Sequence, residues 1–231
     1  MCGRYLLREQ PQWSTHTAWS DYWEDIQPFN ARFNIAPSQF APVVCANNQK
    51  PSAQLMQWGF RPPWAKPSMS KINARSESMF ESKMFAQSAH SQRCLIPADG
   101  FYEPKGSDSE RNRPWYLLQQ KSQHAFMMAG LWTQYKTEQT IVNCFCIITC
   151  SANAMVQPIH HRMPLIIPQD QWLRWLISPE QAELNALAAE SASTDLVAHR
   201  VSDMAKNPAL DTPACAEPQP DILPGENLSL F

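Results

Sequence analysis

The sequence predicts a mixed fold of many short strands and a few helices. Short apolar runs bounded by turn residues recur along the chain. Only a few stretches carry helical spacing. Twenty Pro and nine Trp stand against six Gly, which fits a loop-rich, aromatic-rich fold and not an all-helical one. At 231 residues and 44% hydrophobic composition the chain is one large domain or two small ones, with a sizeable core.

Arg4–Leu7 alternates as a short strand. Trp13, Ala18, Trp19 and Tyr22 give Gln12–Trp23 a helical aromatic stripe. Asn34 before Ile35-Ala36-Pro37 reads as a turn into a strand over Pro42–Ala46, and Ser52–Trp58 is the next strand. The following segment runs to Pro67 and contains Pro62, Pro63 and Pro67, which exclude regular structure. Met79, Phe80, Met84 and Phe85 predict an amphipathic helix reaching His90. Arg93–Ala98 is a buried strand, Asp99-Gly100 a turn, and Phe101-Tyr102-Glu103 the return. Gly106–Arg113 is a polar loop.

Trp115–Gln119, His124–Gly130, Trp132–Tyr135 and Thr140–Thr149 read as successive strands. Ser151 is placed to cap a short helix over Ala152–Val156, and Asp170 one over Gln171–Leu176. Glu180–Glu190 is a further helix and Leu196–Val201 the last strand.

The net charge of −2 hides an asymmetry. Residues 1–175 carry 17 basic and 12 acidic side chains, whereas residues 176–231 carry 2 and 9. An anionic ligand on the first part is therefore not excluded. No run approaches the roughly 20 apolar residues of a membrane-spanning helix. Seven Cys, with no secretory segment before them, point to a reducing, cytoplasmic setting. Cys144, Cys146 and Cys150 share parity on one strand and read as buried thiols packing like small apolar residues. No fourth ligand follows them at zinc-finger spacing, and no metal or organic cofactor is suggested.

Two segments carry chemistry. The first is Met1-Cys2-Gly3-Arg4-Tyr5. Cys is small enough for methionine aminopeptidase to remove the preceding Met, which leaves an α-amine and a thiol on adjacent carbons. The amine, with an ordinary pKa of about 7.7–8.0, forms a Schiff base with an aldehyde, and the thiol then closes a thiazolidine. The second runs from Trp58 to Arg75 and holds Arg61, Lys66, Lys71 and Arg75 without an acid, interleaved with Trp58, Phe60 and Trp64. Basic residues among stacking aromatics suit single-stranded nucleic acid. A rigid Pro-rich loop with buried aromatics is the plainer account. Glu103 lies in an apolar setting, where a carboxylate is either paired or functional.

Cys2-Gly3-Arg4-Tyr5, Asn73-Ala74-Arg75-Ser76-Glu77, Gly100-Phe101-Tyr102-Glu103 and His160 with Arg162-Met163-Pro164 occur in this order. Asn34-Ile35-Ala36-Pro37, Trp58-Gly59 and Ala129-Gly130-Leu131-Trp132 lie between them. Together they resemble the SRAP (SOS-response-associated peptidase) family, over Cys2 to about Pro218. The resemblance implies a single α+β domain over residues 1–218 with a curved, barrel-like β core and flanking helices, and a loose tail over residues 219–231. It implies capture of abasic sites in single-stranded DNA as a thiazolidine on the mature N-terminal Cys2.

By the same resemblance Asn73 positions the amine or sugar, Glu103 moves protons, and His160 donates to the sugar ring oxygen or meets a phosphate. Arg4, Arg75, Arg162 and Thr149 become phosphate contacts and Trp64 a stacking residue; for Arg162 an internal ion pair is an equal alternative. The position after His160, often acidic in the family, is His161, and the position after Glu103, often Trp, is Pro104. The expected partner is single-stranded DNA containing abasic sites, with replication-fork proteins as further partners and a monomeric chain. Two other readings use the same residues: an N-terminal cysteine peptidase, and a non-covalent reader of modified bases that needs no reactive Cys2.

Overall fold

In a computed structural model the described residues are 2–8, 30–47, 50–107, 109–110, 112–178, 180–190 and 195–220. The strands are β1 (Arg4–Leu7), β2 (Arg32–Ile35), β3 (Phe40–Asn47), β4 (Lys50–Trp58), β5 (Asn73–Arg75), β6 (Arg93–Ala98), β7 (Gly100–Pro104), β8 (Trp115–Gln120), β9 (Phe126–Lys136), β10 (Ile141–Ser151), β11 (Arg162–Pro164), β12 (Ile166–Ile167) and β13 (Leu196–Arg200). The α-helices are α1 (Ala86–Ser91), α2 (Trp172–Ile177) and α3 (Gln181–Glu190). The expected Gln12–Trp23 helix lies outside the described residues.

One sheet has the order β13-β8-β7-β1-β2. The other runs β11-β10-β4-β3-β6-β9-β12, and β9 also pairs with β10. That extra pairing closes β10-β4-β3-β6-β9 into a five-stranded barrel and removes the exposed edges an open sheet would leave. The α+β class with a barrel-like β core holds. Tyr5, Trp58 and Phe145 are fully buried in its core, with Tyr5 edge-on to Trp58 at 5.3 Å and Trp58 stacked on Phe145 at 6.2 Å.

Six local expectations are corrected. Asn34, read as a turn residue, lies inside β2, where its buried amide holds the carbonyls of Asn207 and Leu210, and the turn follows at residues 37–38. Asp99-Gly100 makes no hairpin turn: β7 begins at Gly100 and belongs to the other sheet, so the chain bends at Asp99 from one sheet into the other. His124–Gly130 and Trp132–Tyr135 are one strand, β9, unbroken at Gly130. A Cβ at Gly130 would sit 2.3 Å from Ile96 Cδ1 and 2.8 Å from the Cys146 carbonyl oxygen, so this glycine permits a close backbone approach and makes no turn. The helix expected up to His90 is reduced to α1, because residues 76–85 form separate turns. Met79 is buried in the core and Phe85 packs on Phe60, so tertiary contacts override the helical spacing.

In place of the expected helix over 152–156 the chain forms turns at residues 154–159, with Asn153 Oδ1 accepting from the N–H groups of Met155 and Val156, while Ser151 ends β10. Asp170 lies inside a 3₁₀ turn (Gln169–Gln171) that precedes α2, and α2 has no side-chain cap.

The C-terminal segment is fastened to β2. Asn34, fully buried, donates through Nδ2 to the carbonyls of Asn207 (2.9 Å) and Leu210 (2.8 Å). Asp211 accepts from the N–H groups of Phe33 and Asn34 and pairs with Arg32. Gln219 still bonds to the Arg200 carbonyl, and Arg200 to that of Pro220; the rest of the expected tail lies outside the described residues.

Candidate functional site

β10 is the spine of the site. On one side it pairs in parallel first with β4 and then with β5, so Trp58 faces Phe145, Asn73 faces Ile147 and Arg75 faces Thr149. On its other side β9 is followed by β11, with Arg162 opposite Ser151. The residues between Trp58 and Asn73 therefore leave and rejoin the same strand two positions further along. Gly59, at φ +151°, makes the exit, and the Phe60–Lys71 bridge closes the base of the excursion. The indole N–H of Trp58 donates to the Ile72 carbonyl at 2.9 Å, which fixes the segment leading into Asn73.

Cys2 is fully buried just before β1. Asn73 reaches it: Nδ2 donates to the Cys2 carbonyl at 3.2 Å, and Asn73 Oδ1 is a buried acceptor with no protein donor among the described residues. β1 pairs with β7 in the register Arg4–Tyr102, Tyr5–Phe101, and one more step of that register puts Glu103 opposite Gly3. Glu103 is fully buried. Burial, and then the charge of Glu103, push the Cys2 thiol well above its ordinary value, while the nearby N-terminal charge and a backbone hydrogen bond with Arg4 oppose the rise. The thiol is therefore held neutral, and making it nucleophilic requires an adjacent proton acceptor.

His160 enters by a separate network. Its Nδ1 lies 3.0 Å from both the backbone nitrogen and the carbonyl oxygen of Arg162. The N–H donates when Nδ1 is bare, and the carbonyl accepts when Nδ1 is protonated, so the ring has a partner in either state. The exposed His161 ring lies 4.5 Å from that of His160. Arg162 is buried and spans the network: Nη1 donates to Glu77 Oε1 at 2.5 Å, and Nη2 to Glu77 Oε2 at 2.8 Å and to the Thr149 carbonyl at 2.7 Å. The bidentate guanidinium holds the Glu77 carboxyl down at about 2.

The other predicted residues are placed as follows. Thr149 is fully buried, and its hydroxyl donates to the Ala74 carbonyl at 3.3 Å. Arg4 is half-buried and donates to the Gly3 carbonyl at 2.7 Å, with Nε buried and unpartnered among the described residues; burial lowers its pKa. Arg75 is exposed. Trp64 is 53% exposed, with the Lys83 ammonium 5.8 Å from its ring centre. Cys2, Asn73 and Glu103 thus come together at the start of β1, while Thr149, Arg162 and His160 gather at the end of β10. Trp64 stands apart on the Pro-rich excursion.

Two residues at the site had been given no role from the sequence. Glu77 is the first acid after the basic run that ends at Arg75. Tyr5 has a fully buried hydroxyl with no partner among the described residues, and its phenol is pushed up by burial and by the neighbouring Cys2. Glu77 was visible as an acid two places beyond Arg75; nothing in the sequence marks the Tyr5 hydroxyl. Clefts of about 490 Å³, over Phe126 and Trp172, and about 170 Å³, beside Arg61 and Tyr135, include none of the predicted site residues.

All seven cysteines are free and buried. No group of metal-ligating side chains occurs among the described residues, and no helix there is long and apolar enough to cross a membrane.

The chain is similar to the abasic site processing protein YoqW of Bacillus subtilis, at 30% identity over 94% of this chain and 99% of the relative. It is 33% identical to YoaM of the same organism, of the same description, over 90% of this chain and 94% of the relative. The abasic site processing protein YedK of Escherichia coli is 27% identical over 79% of this chain and 83% of its own. A crystal structure of a protein from Bacteroides thetaiotaomicron superposes with a TM-score of 0.78 at 22% identity, over 94% of this chain and 100% of the other. The model of the family described as SOS response associated peptidase (SRAP) matches residues 1–208, and the chain belongs to that family.

Proposed function

We propose that this protein processes abasic sites in single-stranded DNA by capturing them covalently on Cys2, once Met1 has been removed, and so shields them. The observation that carries the reading is the meeting of Cys2 with Asn73 and Glu103 at the start of β1. The names of YoqW, YoaM and YedK support the substrate class.

The open form of an abasic deoxyribose is an aldehyde. The α-amine of Cys2 adds to its carbonyl carbon, and loss of water gives a Schiff base. The Cys2 sulfur then adds to the same carbon while the nitrogen takes up a proton, closing the thiazolidine. Asn73 is suited to orient the amine, since Nδ2 already holds the Cys2 carbonyl and Oδ1 is an available acceptor for an ammonium N–H. Glu103 is suited to take the proton of a thiol that burial keeps neutral. His160, with a partner for Nδ1 in either protonation state, is suited to donate to the sugar ring oxygen as it opens. The missing base spares much of the unstacking cost of base flipping. Arg4 and Arg75 are the phosphate contacts of this reading and Trp64 its stacking residue; Thr149, fully buried, and Arg162, paired with Glu77, stand behind them as the internal alternative.

The test is a denaturing gel of the mature protein with a labelled single-stranded oligonucleotide carrying one abasic site. A heat- and detergent-stable shifted band is expected for wild type and not for Cys2→Ala. A band of equal intensity in Cys2→Ala removes Cys2 from the centre of the reaction. No band in wild type with a confirmed N-terminal Cys2 overturns the proposal.

A further inference from the structure

Resting on that function, we propose that Glu77 is a positioning residue for the reaction, holding Arg162 and through it His160, at the expense of Arg162's affinity for the DNA backbone. Arg162 is only 8% exposed, and both terminal nitrogens of its guanidinium are engaged, on the two carboxylate oxygens of Glu77 and on the Thr149 carbonyl. Its Nε is buried with no partner among the described residues. The same Thr149 carbonyl accepts from the Ser76 N–H at 2.9 Å, so the ion pair ties the end of β5 and the start of β11 to one point on β10. The main chain of Arg162 holds His160 Nδ1. A shift of the Arg162 main chain is therefore felt at His160.

The pair also neutralises a cation. A guanidinium matched bidentately to a carboxylate contributes little to counterion release on binding a phosphodiester strand. Loss of the Glu77 charge frees that cation while loosening the frame around His160. Tighter binding is then expected together with slower chemistry, a combination that a merely structural residue does not give.

The measurement pairs two assays on Glu77→Gln and Glu77→Asp. Binding to an intact single strand is followed by anisotropy against salt, and adduct formation by single turnover at saturating abasic strand. Glu77→Gln is expected to bind the intact strand more tightly, with a salt slope steeper by about 0.7, one phosphate's share for single strands. Its adduct is expected to form about 10- to 100-fold more slowly, the scale of a small misplacement of a reacting group. Glu77→Asp keeps the carboxylate and is expected to return the slope toward wild type. The NMR titration of the His160 ring is expected to move in Glu77→Gln.

An unchanged adduct rate, or binding and rate falling together with the folding midpoint, overturns the proposal. If wild type forms no adduct, the functional reading fails, while the salt slope and the His160 titration still decide whether Glu77 holds Arg162 and His160.

Discussion

The side-chain amide of Asn73 donates to the main-chain carbonyl of Cys2 at 3.2 Å, joining residues 71 positions apart. Asn73 is itself carried by β5 on Ile147 of β10, so the position of Cys2 is tied to the barrel. Replacing Asn73 with Ala removes both this donor and the Oδ1 acceptor, which has no donor among the described residues. Adduct formation is expected to slow by about 100-fold through lost orientation, with the folding midpoint nearly unchanged. Single-turnover rates beside a thermal melt check this; a rate within twofold of wild type contradicts it.

Glu103 has two opposed effects on Cys2. Its charge raises the thiol pKa, so Glu103→Gln is expected to lower it, and alkylation of mature Cys2 should begin at lower pH than in wild type. The same substitution removes the proton acceptor, and adduct formation is expected to fall by about 100-fold or more. Alkylation and crosslinking measured over the same pH series separate the two. An alkylation profile that stays in place, or moves to higher pH, would show that the charge of Glu103 does not raise the thiol pKa.

At Gly130 β9 leaves no room for a side chain between its barrel neighbours β6 and β10. Gly130→Ala puts a methyl group against Ile96 Cδ1 and against the backbone oxygen of Cys146, which does not move freely. A loss of about 1–3 kcal/mol is expected, the usual cost of overpacking a core. Denaturant unfolding measures it, and a neutral result would mean that β6 and β10 can separate locally.

Glu77 also sets the response to acid. Its folded pKa, about 2, lies below its ordinary value near 4.5. A depressed carboxylate pKa stabilises the fold above the unfolded value and ceases to do so as pH falls from about 4.5 to about 2. The half-exposed Glu77 side chain keeps the effect modest. Wild type is expected to lose folding stability across this window more steeply than Glu77→Gln. Parallel melting curves at pH 5, 4 and 3 test it, and equal slopes refute it.

The strand over Arg4–Leu7 and the apolar run of β10 were readable because each depends on residues adjacent in the chain, whereas Asp99-Gly100 misled: the chain passes there from one sheet into the other and makes no hairpin. The ordered short motifs, Cys2 first among them, were enough to name the family and to nominate Asn73, Glu103 and His160. The amphipathic spacing before His90 misled, since Met79 and Phe85 serve distant parts of the core.

The barrel's closure through β9 and β10, the approach that requires Gly130, and the meeting of Asn73 with Cys2 are long-range pairings, which no local pattern encodes. The capture of Arg162 by Glu77 belongs with them. A basic residue beside an apolar strand suits a phosphate contact and an internal ion pair equally, and only the packing of β5, β10 and β11 brings a carboxylate within 2.5 Å of it.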